Sequence, residues 1–339
     1  MSKKYTVAVV GATGAVGGEM IAVLEERKFP VKKIVPLASE DSVGKEVQYN
    51  DKNISVGMLN PKSFEDVDIA LFSAGGKVSK EFAPIASDAG AVVIDNTSVF
   101  RMDKDVPLVV PEVNPDAIAA FKTRGIIANP NCSTIQLVIA LSPLDKKAKL
   151  KRIVVSTYQS VSGAGLKAME ELSKQALNLF SGGDCKNECF PHRIAFNCIP
   201  HIGKFDDAGS TEEEIKLINE SRKILGNPSL KIASTAVRVP VFCSHAESVN
   251  AEFTEKITPD EVRAILSESQ GIEVVDRPGA CGYPLQIDAT GKDAVFVGRI
   301  RVDESVDNGI AMWIVADNLR KGAALNAVQI AEILIRDHL

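Results

Sequence analysis

Seven residues near the N-terminus, Gly11-Ala12-Thr13-Gly14-Ala15-Val16-Gly17, constrain the fold more than any other feature of the chain. They follow a compact β-branched run, Tyr5–Val10. They precede a segment in which Val16, Met20, Val23 and Leu24 recur at i, i+4, i+7 and i+8, one face of a helix. A strand, a glycine turn and a helix in immediate succession predict the opening of a parallel α/β sheet. There the glycines let the backbone approach a pyrophosphate, and the helix N-terminus offers it N–H donors and positive dipole. The spacing is G-x-x-G-x-x-G rather than G-x-G-x-x-G, so a glycine turn with no ligand is the alternative. The flanking strand and helix favour the dinucleotide reading.

The same alternation continues to about residue 130. Residues 34–37, 67–73 and 91–94 read as buried strands, and Phe82, Ile85, Ala86 and Ala89 repeat at helical spacing between the last two. From Lys151 the pattern changes. Ile153, Val155, Thr157, Gln159 and Val161 share one face of a period-2 strand, residues 232–241 alternate likewise, and 247–253, 294–302 and 309–316 are strand-like. Polar helices are predicted over 211–225 and 259–269. Alternating strands imply a sheet with one face less buried, hence an α+β second domain. A closing helix over 323–334 is placed back on the first domain. With 339 residues, two domains are expected: 1–131 plus 322–339, and 132–321. The predicted class is α/β, with an N-terminal Rossmann-type dinucleotide-binding domain and a second α+β catalytic and dimerisation domain.

A formal net charge of -5 argues against nucleic acid or an anionic membrane as partner. The N-terminal apolar run is broken by glycines too soon to read as a signal peptide or a span, so a cytoplasmic location is expected. Six cysteines are too few for a disulfide scaffold in a chain of this length. Cys185, Cys189 and His192 have zinc-compatible chemistry but no second well-spaced pair, so they are read as a connecting loop with no metal.

Cys132 stands apart from the other five. It lies in Asn129-Pro130-Asn131-Cys132-Ser133-Thr134, after an apolar run and at the start of an apolar helix. A helix N-terminus favours the thiolate and offers N–H groups to the oxyanion of a tetrahedral adduct. A buried structural cysteine is the bland alternative, and the polar turn around Cys132 argues against it.

GATGAVG, Asn-Pro-Asn-Cys-Ser-Thr, the stretch from Thr157 through Gln159 to Gly163, and Arg238-Val239-Pro240-Val241 leading to His245 together resemble the aspartate-β-semialdehyde dehydrogenase family, essentially end to end. The resemblance implies Cys132 as nucleophile, His245 as acid/base catalyst and Gln159 as an orienting residue. It implies Arg238 for the substrate α-carboxylate and Glu220 for its α-amino group. Arg101 and Lys223, helped by Asn131, are implied for inorganic phosphate. Contacts to NADP are implied for Gly11, Ala12, Thr13, Gly14, Ala15, Val16, Ser39, Ser73 and Gly163.

The implied reaction is NADPH-dependent reductive dephosphorylation of 4-phospho-L-aspartate to L-aspartate 4-semialdehyde through a cysteine thioester. It belongs to lysine, threonine and methionine biosynthesis, and the implied assembly is a homodimer. Two departures concern the cofactor. Asp41 stands where many members carry arginine, and the loop after the fourth strand is Ser73-Ala74-Gly75-Gly76-Lys77, in which Lys77 returns some positive charge. Rival readings are N-acetyl-γ-glutamyl-phosphate reductase, which typically has Asn-Pro-Gly-Cys-Tyr around its cysteine, and a non-catalytic Rossmann-fold binding protein, which would not need Cys132 and His245.

Overall fold

Strands buried on both faces need apolar residues at every position, and β1 (Tyr5–Val10) is buried along its whole length. The computed structural model describes residues 3–339. The chain continues through α1 (Ala15–Glu26), β2 (Val31–Ala38), the hairpin β3 (Glu46–Tyr49) and β4 (Lys52–Ser55), β5 (Gly57–Met58), β6 (Ile69–Phe72), α2 (Gly76–Asp88), β7 (Val92–Asp95) and β8 (Ile126–Ala128). Strands β5-β2-β1-β6-β7-β8 form one sheet whose pairings are all parallel. Because β1 pairs with both β2 and β6, the winding direction reverses there. Such a switch point is where α/β sheets bind ligands, beyond the carboxyl ends of the strands.

The second set of elements is α3 (Cys132–Ala148), β9 (Leu150–Gln159), α4 (Leu166–Ser181), α5 (Glu212–Ile224), β10 (Lys231–Arg238), β11 (His245–Phe253), α6 (Pro259–Ser267), β12 (Ile272–Val274), α7 (Gln286–Ala289), β13 (Val295–Asp303) and β14 (Gly309–Ala316). Its mixed sheet runs β10-β9-β11-β14-β13-β12. One face packs on α3, and α5 and α6 lie against α3 in turn. The opposite face is the less buried one, as the alternation predicts, with Tyr158 and Trp313 in ring contact at 5.2 Å. Sequence reading omitted α4. Gly165 precedes it at φ +91 and Gly182 ends it in the left-handed conformation, so glycines set its limits, and Ala168 and Leu172 lie on its buried face.

The chain then closes with α8 (Leu325–Asp337). Two units result: the chain up to Asn131 together with Ala323–Leu339, and Cys132–Gly322. In the first unit α8 joins α1 and β1 in one core, where Ile330 and Leu334 pack with Met20, Leu24, Val7 and Val9. Among the described residues no helix is long and apolar enough to cross a membrane.

Candidate active site

In the first unit the glycine loop sits at the switch point, and its spacing has a steric reason. Gly11 has φ +88, and a Cβ on it would stand 2.9 Å from the backbone of Ser73, at the end of β6. A Cβ on Gly17 would stand 2.1 Å from the carbonyl oxygen of Gly11, so α1 approaches the strand end only with glycine there. Gly14 caps α1 without a side chain, leaving the helix N–H groups open to a ligand. A cavity of about 480 Å³ opens here, with Gly11, Thr13, Gly14, Ser39, Glu40 and Ser73 in its walls. Ala12 is buried, while Ala15 and Val16 begin α1. A glycine cradle at a helix N-terminus with hydroxyls around it fits a dinucleotide. Lys77 is exposed at the start of α2, and Val78 lines the cavity in its stead. Lys45 brings a cation to the loop that follows β2. Its Nζ lies 3.3 Å from Ser42 Oγ, to which Thr13 Oγ1 donates at 3.3 Å.

Arg101 and Asn131 also belong to the first unit, and both are buried. Arg101 donates from Nε to the Asn129 carbonyl at 2.9 Å and from Nη2 to the Asn96 carbonyl at 2.7 Å. These two bonds fix the guanidinium plane at the carboxyl ends of β7 and β8.

In the second unit Cys132 is the first residue of α3 and is half-buried. A Cβ on Gly322 would stand 3.0 Å from the Cβ of Cys132, so glycine at 322 leaves the Cys132 side chain its place without displacement. Gln159 ends β9 and Arg238 ends β10, as register partners. His245 begins β11, which runs antiparallel beside β9. Strand pairing therefore brings three side chains from distant segments to one rim of the sheet. All three are buried.

The hydrogen bonds define the proton positions. The backbone N–H of Ser160 donates to His245 Nδ1 at 3.1 Å, so Nδ1 is an acceptor and the neutral ring carries its hydrogen on Nε2. Burial, and then the charge of Arg238, hold the His245 pKa down at about 3, against a smaller opposing effect of Glu213 and the Ser244 backbone. The imidazole is thus neutral throughout the physiological range. Gln159 Nε2 donates to Glu213 Oε1 at 3.1 Å, and Gln159 Oε1 accepts from Thr157 Oγ1 at 3.0 Å. The Nε2 atoms of Gln159 and His245 stand 3.5 Å apart. Both nitrogens therefore stand at one rim of the sheet, and N–H donors in such a place are what an oxygen acquiring negative charge requires.

Arg238 donates from Nη1 to the Ser160 carbonyl at 2.6 Å. Burial lowers its pKa, while Glu213 and Cys132 act in the opposite direction. A Cβ on Gly163 would stand 3.0 Å from Arg238 Nη1 and 3.3 Å from His245 Nε2, so the bare glycine leaves space over both. On α5, Glu213, Leu217 and Glu220 share the buried face, and Lys223 is half-buried one turn beyond Glu220.

Residues 6–121 match the family model described as the NAD binding domain of semialdehyde dehydrogenase, and residues 141–321 its dimerisation domain. An aspartate-semialdehyde dehydrogenase of Aquifex aeolicus is 54% identical, over 99% of each chain. Aspartate-semialdehyde dehydrogenase 2 of Vibrio cholerae is 52% identical over the full length of both. The chain belongs to the aspartate-semialdehyde dehydrogenase family. The crystal structure of the Vibrio cholerae aspartate semialdehyde dehydrogenase II complexed with ASA superposes with a TM-score of 0.98, at 51% identity and full coverage of both chains. The Candida albicans aspartate semialdehyde dehydrogenase with NADP gives 0.77 at 26% identity, over 98% of each.

For a member of the aspartate-semialdehyde dehydrogenase family, the second unit brings together Gln159, His245, Arg238 and Gly163, with Cys132 close enough to act on the Arg238 charge. Gly163, expected at the cofactor, stands beside Arg238 and His245. Glu213, Thr157 and Gly322 escaped the sequence reading. The clearance that Gly322 leaves around Cys132 is visible only in three dimensions. Glu213 lies in a run of three glutamates where charge alone does not single out the one that turns inward. The alternation of β9 did place Thr157 on the same face as Gln159, and that was the available signal.

Proposed function

We propose that this chain catalyses the NADPH-dependent reductive dephosphorylation of 4-phospho-L-aspartate to L-aspartate 4-semialdehyde and its reverse. The observation that carries the reading is the meeting of Gln159, His245 and Arg238, all buried, at one rim of the second sheet, with the Nε2 atoms of Gln159 and His245 3.5 Å apart. The Cys132 thiolate attacks the acyl carbon, the C–O bond to phosphate breaks, and a thioester forms. NADPH, when bound, supplies the hydride that reduces this carbonyl. Gln159 and His245 hydrogen-bond the oxyanion before and after that reduction, and collapse of the tetrahedral adduct returns the electron pair to the Cys132 sulfur. A neutral imidazole suits this electrophilic role, because its Nε2–H is donated without a net charge to desolvate.

Arg238 pairs with the substrate α-carboxylate and Glu220 with its ammonium, while Arg101, Lys223 and Asn131 receive phosphate. The free ammonium that Glu220 pairs with is absent from an N-acetylated substrate, and Asn131 stands where the acetylglutamyl enzymes typically have glycine. Gly11, Thr13, Gly14, Ser39 and Ser73 hold the cofactor by the cradle described above, with the 2′-phosphate beside Ser42 and Lys45. The less buried face of the second sheet, with Tyr158 and Trp313, pairs two subunits into a homodimer, and the enzyme works in the cytoplasm. The deciding assay is phosphate-dependent reduction of NADP⁺ with aspartate semialdehyde, run beside N-acetylglutamate semialdehyde. Activity confined to the first supports the reading; preference for the second overturns it.

A further inference from the structure

Helix α8 fills the core of the first unit with apolar side chains, and one of its buried residues does not suit that purpose. Leu325, Ala327, Val328, Ile330 and Leu334 are buried along it. Asn326 lies among them on the first turn and is completely inaccessible. Asparagine is a weaker helix former than leucine or alanine, and a buried carboxamide is costly unless its polar atoms are paired. Packing therefore does not account for Asn326, and its hydrogen bonds have to.

We propose that Asn326 is a positioning residue for Arg101, acting through Asn129. The hydrogen bonds run from the helix to the sheet. Asn326 Nδ2 donates to the Val109 carbonyl at 3.0 Å and to Asn129 Oδ1 at 2.6 Å. Asn129, also fully buried, donates in turn from Nδ2 to Asn96 Oδ1 at 2.7 Å and to the Ala323 carbonyl at 3.2 Å. Each of the two amides thus gives both N–H hydrogens to acceptors, and in each case one acceptor is a backbone carbonyl that cannot change role. Flipping Asn326 would set its oxygen against the Val109 carbonyl, so the orientation of both carboxamides is fixed. Asn96 and Asn129 are the first residues beyond β7 and β8, 33 apart in sequence. The Asn129 backbone N–H already extends the ladder by donating to the Asp95 carbonyl at 2.8 Å. The side-chain bond between Asn129 and Asn96 is a second tie across the same strand ends. Their two carbonyls are those that Arg101 holds from Nε and Nη2. The spacing of those carbonyls sets the plane of the guanidinium, and Asn326 fixes that spacing from the side of α8. All of these residues belong to the first unit, and Asn326, sealed from solvent, acts on a ligand only through Arg101.

The consequence for turnover rests on the phosphate role proposed for Arg101, and the test separates the two. Kinetics of the phosphate-dependent oxidation of aspartate semialdehyde would be measured for Asn326→Leu, Arg101→Leu and the double variant. A guanidinium that keeps its charge but loses its fixed plane should raise KM for phosphate about fivefold in Asn326→Leu, less than the roughly tenfold expected on deleting the cation. The kcat and the KM values for aspartate semialdehyde and NADP⁺ should stay within about twofold of wild type. In the Arg101→Leu background the same change should add nothing. A lowered Tm with KM for phosphate unchanged would make Asn326 a packing residue, and penalties that multiply would mean that it acts elsewhere; either result overturns the proposal. If Asn326→Leu does not fold, Asn129→Ala cuts the next link and should give the same phosphate-selective loss, masked by Arg101→Leu in the same way. The ¹⁵N–¹H resonance of Arg101 Nε, assigned by its loss in Arg101→Leu, gives a readout free of turnover. It should be sharp in wild type and shifted or broadened in Asn326→Leu. An unchanged resonance overturns the proposal whatever Arg101 binds. A shifted resonance in an enzyme whose KM for phosphate ignores Arg101→Leu would support the positioning and count against the phosphate reading alone.

Discussion

The first unit presents backbone to its ligand. Gly11, Gly14 and Gly17 have no side chains to offer, and their contribution is the removal of Cβ atoms from a crowded strand end. The second unit presents buried charge and buried hydrogen-bonding side chains instead: Arg238, Glu213, Glu220, Gln159 and His245 are all nearly inaccessible. Backbone recognition tolerates many sequences provided the turn forms, and suits a cofactor shared by many enzymes. A cluster of buried polar side chains is expensive unless every member is paired, and once paired it is rigid. Rigidity is what transition-state stabilisation needs, because donors already aimed at the developing charge do not reorganise during the reaction.

The sharpest way to break this contrast is at the nucleophile. Cys132→Ala should lower kcat by at least about 10⁴-fold while the affinity for NADP⁺, held by the other unit, stays within about twofold. Cys132→Ser should be severely impaired as well, since a hydroxyl has no thiolate character at neutral pH. Steady-state rates and cofactor titration by fluorescence check both halves. Substantial activity in the alanine variant would refute the thioester.

The next test divides the cationic residues. Arg238→Leu should lower kcat/KM for aspartate semialdehyde by about 10²-fold or more, because it removes the carboxylate partner. Lys223→Leu should chiefly raise KM for phosphate, by roughly tenfold. Arg101→Leu should do the same and also lower Tm, because the carbonyls of Asn96 and Asn129 lose their donors. Equal effects of all three on both substrates would mean that none of them selects its ligand.

The same difference explains what was legible in the sequence. The glycine loop is a local signal: strand, turn and helix are contiguous, and the three glycines report their own steric reason. The parallel sheet was readable because β6 is an uninterrupted apolar run and β1 is one but for Thr6. Cys132 and its turn were readable for the same reason of contiguity. The hydrogen bonds around Gln159 were not, because Thr157, Val237 and Glu213 meet only through the pairing of β9 with β10 and the packing of α5 on β10. Pairing register cannot be read from a period-2 pattern that is equally consistent with several neighbours. The roles given to Arg238 and Glu220 come from the resemblance to a family; the residues alone would have allowed a structural ion pair and a surface helix pair.

A smaller effect concerns stability. Glu247 on β11 is fully buried, and burial raises its pKa well above 4.5, with Gln136 from α3 offsetting this only in part. Neither carboxyl oxygen has a hydrogen bond of good geometry. The folded protein keeps this proton where the unfolded chain releases it, so stability falls as pH rises from about 4.5 toward the folded-state pKa. Glu247→Gln is neutral at every pH and should remove that slope. Its Tm advantage over wild type should therefore grow between pH 5 and pH 8, by about 2–4 °C for each kcal/mol recovered. Thermal melts at the two pH values decide it, and a pH-independent difference would mean that Glu247 titrates normally in the fold.

The smallest effect is expected at the cofactor, where the first unit adds side-chain charge to its backbone cradle. Asp41 stands where many relatives carry arginine, and it is exposed beside the cavity that Ser39 and Glu40 line. Negative charge there opposes a 2′-phosphate. Lys45, through Ser42 and Thr13, brings a cation to the same loop. An exposed charge contact of this kind is worth on the order of 1 kcal/mol, a factor of about five in affinity. Lys45→Met should accordingly weaken NADP⁺ binding about fivefold while leaving NAD⁺ nearly unchanged, and Asp41→Arg should strengthen NADP⁺ by a similar factor. Raising ionic strength should shrink both effects, because the contact is exposed to solvent. Dissociation constants for the two cofactors, measured for wild type and both variants at low and moderate salt, give the ratios directly. If Lys45→Met weakens both cofactors equally, the lysine holds the loop and not the phosphate, and the discrimination lies with the hydroxyls of Ser39 and Ser42.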